Sequence, residues 1–328
     1  MVTASNVLDR VLVLEMVRVT EAAAVAASKL IGRGDERAAD HAAVEAMRDA
    51  LNQLELDGTV VIGEGERDEA PMLFIGEKVG AAQGTGPKID IALDPLEGTT
   101  ITAKAGNNAM AVLAIAEEGG LLHAPDVYME KLAVGPGFPE GVIDLRKSPS
   151  ENVRAVAAAK GVDPSEIIVC VLDRPRHAEL IAELRALGCG IQLIPDGDVA
   201  GVIAVTDPDT TIDLYMGSGG APEGVLAAAA LRCVGGQFQG KLLFRNDDER
   251  GRAARWGVED LDRIYSLEDL AQGDVIFAAT GVTDGTLLQG VKRRRDGIST
   301  ESVVMRASTG TVRWVRGEHR HEPGARDG

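Results

Sequence analysis

KIDIALDPLEGTT, residues 88–100, reads as a buried strand that runs into an acidic turn. Ile89, Ile91 and Leu93 alternate with Asp90 and Ala92, the two-residue period of a strand. Pro95 cannot donate to a sheet ladder and Gly98 permits a tight turn, so the strand is expected to stop there. Asp94, Glu97 and Thr99 are thereby gathered at one strand end. Two carboxylates and a hydroxyl in that position suit a hard cation and a phosphate. Asp, Pro and Gly are equally the ordinary residues of a turn, and this segment alone leaves both readings open.

Upstream, Val7, Leu8, Val11, Leu14, Val17 and Val25 recur at helical spacing among many alanines, which predicts a helix over residues 6–31 ended by Gly32 and Gly34. Asp35 caps or precedes a second helix over residues 39–55. Asp40 lies in its first turn, where a carboxylate also simply complements the helix dipole. Residues 59–62 form a β-branched strand that ends in Gly63-Glu64-Gly65-Glu66, with Asp68, Glu69 and Glu77 beyond. Its glycines let the backbone approach a ligand closely. Downstream, apolar strands over residues 109–116 and 127–134, the latter with Tyr128, follow without long helices between them, which suggests an antiparallel or mixed sheet.

From residue 151 helices (151–160, 176–187, 199–205, 222–233) alternate with strands (167–172, 191–194, 212–216, 237–244). That alternation predicts a parallel-type sheet covered by helices. Three strand-to-helix loops lie on the ligand-binding side of such a sheet. They are Asp173-Arg174-Pro175-Arg176, Asp196-Gly197-Asp198 and Gly217-Ser218-Gly219-Gly220-Ala221-Pro222-Glu223. The last, with Pro at a helix start, is suited to offering backbone N–H groups to phosphate, although it is neither a P-loop nor a dinucleotide fingerprint. The fold class is α/β with alternating helix and sheet layers: an N-terminal mixed or antiparallel sheet, then a C-terminal α/β sheet.

Composition narrows the function. The chain has 328 residues, 39 of them Gly, and only 3% are aromatic, so Ala, Val, Leu and Ile must fill the core and base stacking has little to work with. A net charge of −17 repels nucleic acid and anionic membranes, and no partner of either kind is expected. A phosphorylated substrate would need bound cations and a local group of Arg and Lys. Cys170, Cys189 and Cys233 are widely spaced in apolar surroundings and read as free thiols of a cytoplasmic protein. No signal peptide and no membrane span are expected.

Asp40, Glu64, Asp94 with Glu97, and Glu223 form an all-oxygen donor set of the kind that holds Mg²⁺ or Mn²⁺. Arg174, Arg176 and Lys131 are candidate phosphate contacts, and Asp196 and Asp198 candidate acceptors for sugar hydroxyls. No nucleophile–His arrangement supports covalent catalysis; Cys170 with His177 reads as strand core plus a helix-surface residue.

GRGD followed by Asp40, then VIGEGERDEAPML, DPLEGT, YMEK, RPRH, PDGDVAG and GSGGAPEG, run in the order found in class II fructose-1,6-bisphosphatases. The chain resembles that family from about residue 15 to residue 316. DPLEGT alone would indicate only the wider lithium-sensitive sugar-phosphatase group, which includes inositol monophosphatases; VIGEGE and GGAPEG narrow it. The resemblance implies metal-dependent hydrolysis of the 1-phosphate of fructose 1,6-bisphosphate. Alternatives are sedoheptulose 1,7-bisphosphate or dual activity and, less closely, an inositol- or nucleotide-phosphate phosphatase. It implies Asp40, Glu64, Asp94 and Glu223 as metal ligands, with Glu64 also in a catalytic role. Glu97, Gly98 and Thr99 would form the metal and 1-phosphate site. Thr99 would orient the attacking water and Asp40 would polarise Thr99. Tyr128, the Arg174-Pro175-Arg176 segment, Asp196, Gly197, Asp198 and Gly220 would bind the sugar and its 6-phosphate. Glu97 stands where the wider group often has Asp, which leaves open whether it ligates metal directly; Arg174 stands where some relatives have Lys. A homodimer or homotetramer is implied. The expected organisation is a metal-binding half over residues 1–150, a sugar-binding half over 151–316 and a disordered tail over 317–328.

Overall fold

The computed structural model describes residue 8 and residues 10–65, 72–207 and 209–320; Glu66, Asp68, Glu69 and the last eight positions of the expected tail lie outside them. In chain order the first elements are α1 (Leu12–Ser28), α2 (Glu36–Leu51), β1 (Asp57–Ile62), β2 (Lys78–Val79), β3 (Lys88–Glu97), α3 (Thr99–Ala103), β4 (Met110–Glu117) and β5 (Tyr128–Val134). Next come α4 (Pro149–Lys160), β6 (Ile168–Leu172), α5 (Ala178–Leu187), β7 (Gly190–Ile194), α6 (Asp198–Ile203), β8 (Leu214–Gly220), α7 (Ala221–Val234) and β9 (Gln237–Leu243). The chain closes with α8 (Asp247–Arg255), β10 (Ile264–Ser266), α9 (Leu267–Leu270), β11 (Val275–Gly281), β12 (Lys292–Arg294), β13 (Gly297–Arg306) and β14 (Thr311–Arg320).

Among the described residues these strands make two mixed sheets. The eight-stranded sheet has the order β14–β13–β11–β4–β3–β1–β2, with β12 also on β13; β1 and β3 are parallel and the other pairs antiparallel. The six-stranded sheet has the order β10–β9–β5–β8–β6–β7, parallel across β7–β6–β8 and antiparallel elsewhere. The sheets therefore do not divide at residue 150. β5 precedes that point yet sits inside the second sheet, and β11 and β13 follow it yet complete the first. Hydrogen-bonded pairing over long sequence separations decides this, and local pattern does not carry it. The described part of the expected tail differs from expectation too. Gly317 to Arg320 are not a frayed tail but the end of β14, paired residue for residue with β13.

The layers run helix, sheet, helix, sheet, helix. Val17, Ala24, Ala43 and Met47 of α1 and α2 pack on Ile91, Leu113 and Ile276 of the first sheet. α7 lies between the sheets, with Ala92, Val112 and Phe277 on one side and Met129 and Tyr215 on the other. Ala227, Ala228, Ala229 and Ala230 are all essentially inaccessible, as required of a helix that is apolar on every face. Beyond the second sheet, Val153 and Leu184 of α4 and α5 close the far core.

Candidate active site

The site begins with a bulge. β3 pairs with β4 from Ile89↔Glu117 to Asp94↔Val112, and then Glu97↔Met110, with one extra residue taken up between Asp94 and Glu97. The strand thus runs through Pro95 instead of stopping there, because the irregularity removes the need for its N–H. In a regular strand, residues three apart face opposite sides. Here Asp94 and Glu97 stand opposite Val112 and Met110, which both belong to the core on the α7 side, so the bulge aims both carboxylates at the central layer. Gly98 follows in the left-handed region (φ 95°) and caps α3, which starts at Thr99.

Other elements bring further acids to the same place. Asp40 comes from α2, Glu64 from the loop after β1, Asp126 from the turn before β5, Asp196 and Asp198 from the start of α6, and Glu223 from the first turn of α7. With Asp94 and Glu97 they place, among the described residues, eight carboxylates around a cavity of about 350 Å³, also lined by Gly98 and Thr99, with no described Arg or Lys in its wall. Burial, and then the neighbouring charges of Asp40 and Glu223, push the Glu64 carboxyl up to about 8. Burial raises Asp94 well above the usual carboxylate range, with Glu64 and Glu223 adding to it; the Leu96 N–H, donated to Asp94 Oδ1 at 3.0 Å, opposes. Glu97 is likewise raised well above its usual range by burial and by Asp198, Asp94 and Glu223. Glu223 is raised by burial and Asp198 against the pull of Lys131, and Asp40 by burial.

This chemistry fits a divalent cation. Glu97 Oε1 accepts from the Val199 N–H at 3.1 Å, but Glu97 Oε2 and Glu223 Oε2 are buried with no hydrogen-bond partner. A buried oxygen left unpaired is costly, and so is a set of like charges without a counter-charge. Among the described residues, no group of three or more His, Cys, Asp or Glu side chains is already gathered closely enough to hold a metal ion. Mg²⁺ ordinarily keeps several waters and takes ligands from substrate phosphate, so a loose ring of carboxylates suits it.

The glycine-rich segment is not the loop its composition suggests. β8 continues to Gly220, with Ser218, Gly219 and Gly220 paired to Glu130, Met129 and Tyr128. A Cβ on Gly219 would lie 2.0 Å from Asp198 Oδ2, and one on Gly220 would lie 2.0 Å from Glu223 Oε2. At both positions a carboxylate presses against the strand, so a larger residue there would have to displace it. Lys131 differs from expectation as well: it is fully buried, with its ammonium 2.5 Å from Asp198 Oδ2.

Cationic groups gather beside the acid cavity. Arg174 Nη2 lies 3.4 Å from Asp196 Oδ1, which ties its loop to the cavity wall. Arg176 donates to Ser218 O and lies over the Tyr128 ring at 5.0 Å; Arg245 lies over the same ring at 4.9 Å. Tyr128, Arg174, Pro175, Arg176, Gly197 and Gly220 are not among the residues that line the acid cavity, and Arg176 lines a neighbouring one. His177 is buried, not on a helix surface; Nδ1 is 2.7 Å from Leu172 O, and Nε2 accepts the Ser218 N–H at 2.8 Å. Both ring nitrogens are thus engaged by backbone groups, and burial pushes the Cys170 thiol up to about 12, so the two do not make a nucleophilic pair. Sequence reasoning missed Asp126, which looks like an ordinary pre-strand turn residue, and Arg245, which sits in a generally charged stretch.

The arrangement can be set beside known proteins. Residues 10–319 match the family model described as bacterial fructose-1,6-bisphosphatase, glpX-encoded. The chain is 48% identical over 324 residues to fructose-1,6-bisphosphatase 1 class 2 of Escherichia coli, covering 94% of this chain and 95% of that one. The same figures hold for fructose-1,6-bisphosphatase class 2 of Shigella flexneri. Among solved structures, the extragenic suppressor protein suhB of Bartonella henselae aligns at 14% identity with a TM-score of 0.33, covering 60% of this chain and 74% of that one. An inositol monophosphatase from Anabaena (Nostoc) aligns at 14% with a TM-score of 0.32, covering 60% and 71%. The family match spans nearly every described element, including those that carry the ring of carboxylates, and the chain belongs to the class 2, glpX-type fructose-1,6-bisphosphatases.

Proposed function

We infer that this protein hydrolyses the 1-phosphate of fructose 1,6-bisphosphate to fructose 6-phosphate and inorganic phosphate. The observation that carries the reading is a cavity ringed by eight carboxylates, without a lining Arg or Lys among the described residues, in a chain of this family. Asp40, Glu64, Asp94, Glu97 and Glu223 would hold Mg²⁺ or Mn²⁺, Glu97 through Oε2, its other oxygen being engaged by Val199. Bound there, the metal supplies Lewis acidity to the phosphoryl oxygens and lowers the pKa of water. Thr99, at the cavity wall, would orient the attacking water with its hydroxyl, and Asp40, on the same wall, would polarise Thr99. Asp196, Gly197 and Asp198 receive the sugar hydroxyls. Arg174, Pro175 and Arg176, with Tyr128 and Gly220, form the end of the site that takes the 6-phosphate; the two guanidinium groups supply the positive charge that the acid cavity lacks. We place the protein in the cytoplasm as a homodimer or homotetramer; its three buried free cysteines suit a reducing compartment.

Phosphate release from fructose 1,6-bisphosphate in the presence of Mg²⁺ or Mn²⁺ tests the reading, and no release with either metal overturns it. Thr99→Ala should lower kcat about 100-fold or more, the usual cost of losing a group that handles the reacting water. Full activity in that variant would remove Thr99 from the mechanism while leaving the activity in place.

A further inference from the structure

Lys131 lies beneath a site built of acids. Its side chain is wholly buried on β5, and Nζ donates to Asp198 Oδ2 at 2.5 Å. The fold makes room for this pair with missing side chains. A Cβ on Gly219 would stand 2.0 Å from Asp198 Oδ2 and 3.2 Å from Lys131 Nζ; one on Gly224 would meet Met129 Sδ first, at 2.5 Å, and Lys131 Cε at 3.2 Å. Asp198 in turn is a wall residue of the cavity. The charge of Asp198 bears on Glu97 and Glu223, two other wall residues, so without a counter-charge this carboxylate would be driven away from its neighbours.

We propose that Lys131 is a positioning residue for substrate, holding the Asp198 carboxylate in the one orientation in which it accepts a hydroxyl of the sugar. Lys131 borders the cavity that Arg176 lines, but its hydrogen bond is to Asp198, and it acts through that carboxylate. The inference rests on the reading of Asp198 as a sugar-hydroxyl acceptor. It also gives glycine at 219 a role, since the β8 backbone passes close to the ion pair there.

A double-mutant cycle with fructose 1,6-bisphosphate tests it. Lys131→Met and Asp198→Asn should each raise KM about tenfold or more, with kcat changed less than about threefold, because each removes a contact that holds ground state and transition state alike. Lys131→Met/Asp198→Asn should have the KM of Asp198→Asn alone, since the lysine has nothing left to act through. Thermal melting separates stability from positioning: Lys131→Met strands a buried carboxylate and melts lower, whereas the double variant recovers part of the loss while its KM stays high. A native KM in Lys131→Met, or multiplying effects in the double variant, overturns the proposal. If Lys131→Met does not fold, the double variant is compared with Asp198→Asn: an equal KM supports the proposal and a further rise overturns it. A native KM in Asp198→Asn would overturn the reading of Asp198 itself, and the proposal with it.

Discussion

Arg176 reaches two strands of the second sheet with one side chain. Its Nε and Nη2 donate to Ser218 O at 3.1 and 2.6 Å, and its guanidinium covers the face of Tyr128. Arg245 converges on the same ring, paired with Glu249 at 2.5 Å. Planar cations held by a carbonyl and an aromatic face are pre-organised for a phosphate, and Lys would not reproduce that geometry. Replacing Arg176 by Ala should raise KM for fructose 1,6-bisphosphate about 10- to 100-fold, the range of one or two charge-assisted hydrogen bonds. For fructose 1-phosphate, which has no second phosphate to meet, the rise should stay below about threefold. Steady-state phosphate release on both substrates checks this; equal increases would mean that Arg176 does not recognise the 6-phosphate.

At the level of elements, α7 carries the most constraint, because both sheets close on it. Ala228 has no accessible surface, and a larger side chain has no open side to turn to. Ala228→Leu should lower the unfolding free energy by about 1–3 kcal/mol, read from urea unfolding as a lower midpoint with unchanged slope. A neutral result would mean that the layers on either side of α7 separate without cost. Which elements could be foreseen follows from the same physics. Alternation at Ile89, Ile91 and Leu93 and the alanine-rich pattern of α7 are local, so both were legible. The bulge that turns Glu97 to the side of Asp94 was not, because it exists only in the pairing of β3 with β4. Ser218, Gly219 and Gly220 looked like a loop because glycine is rare in strands; their strand conformation follows from β5 on one side and Asp198 and Glu223 on the other. Of the acids, Asp40, Glu64, Asp94, Glu97 and Glu223 stood at predicted helix starts or strand ends and could be singled out. Asp126 had no such marker, and the pairing of buried Lys131 with Asp198 joins residues far apart in the chain.

For the molecule as a whole, the formal charge of −17 and the eight clustered carboxylates make stability depend on pH and on cations together. The Glu64 carboxyl is raised from 4.5 to about 8 in the folded protein, and burial raises Asp94, Glu97 and Glu223 in the same direction. A raised acid holds its proton in the native state after the unfolded chain has released it. Between pH 4.5 and about 8 the native state therefore binds more protons than the unfolded state, and stability falls as pH rises through that window. A divalent cation that takes the place of those protons binds the native state alone and reverses the loss, by about 2.7 kcal/mol at a hundred times its Kd. Thermal melting in chelator should therefore give a Tm that declines across the window. Saturating Mn²⁺ should raise Tm more at its upper end than at its lower end, where protons already occupy the carboxylates. A chelated protein whose Tm held level or rose toward pH 8 would mean that the ring is ionised and neutralised by the protein itself, leaving no unmet charge for a metal to answer.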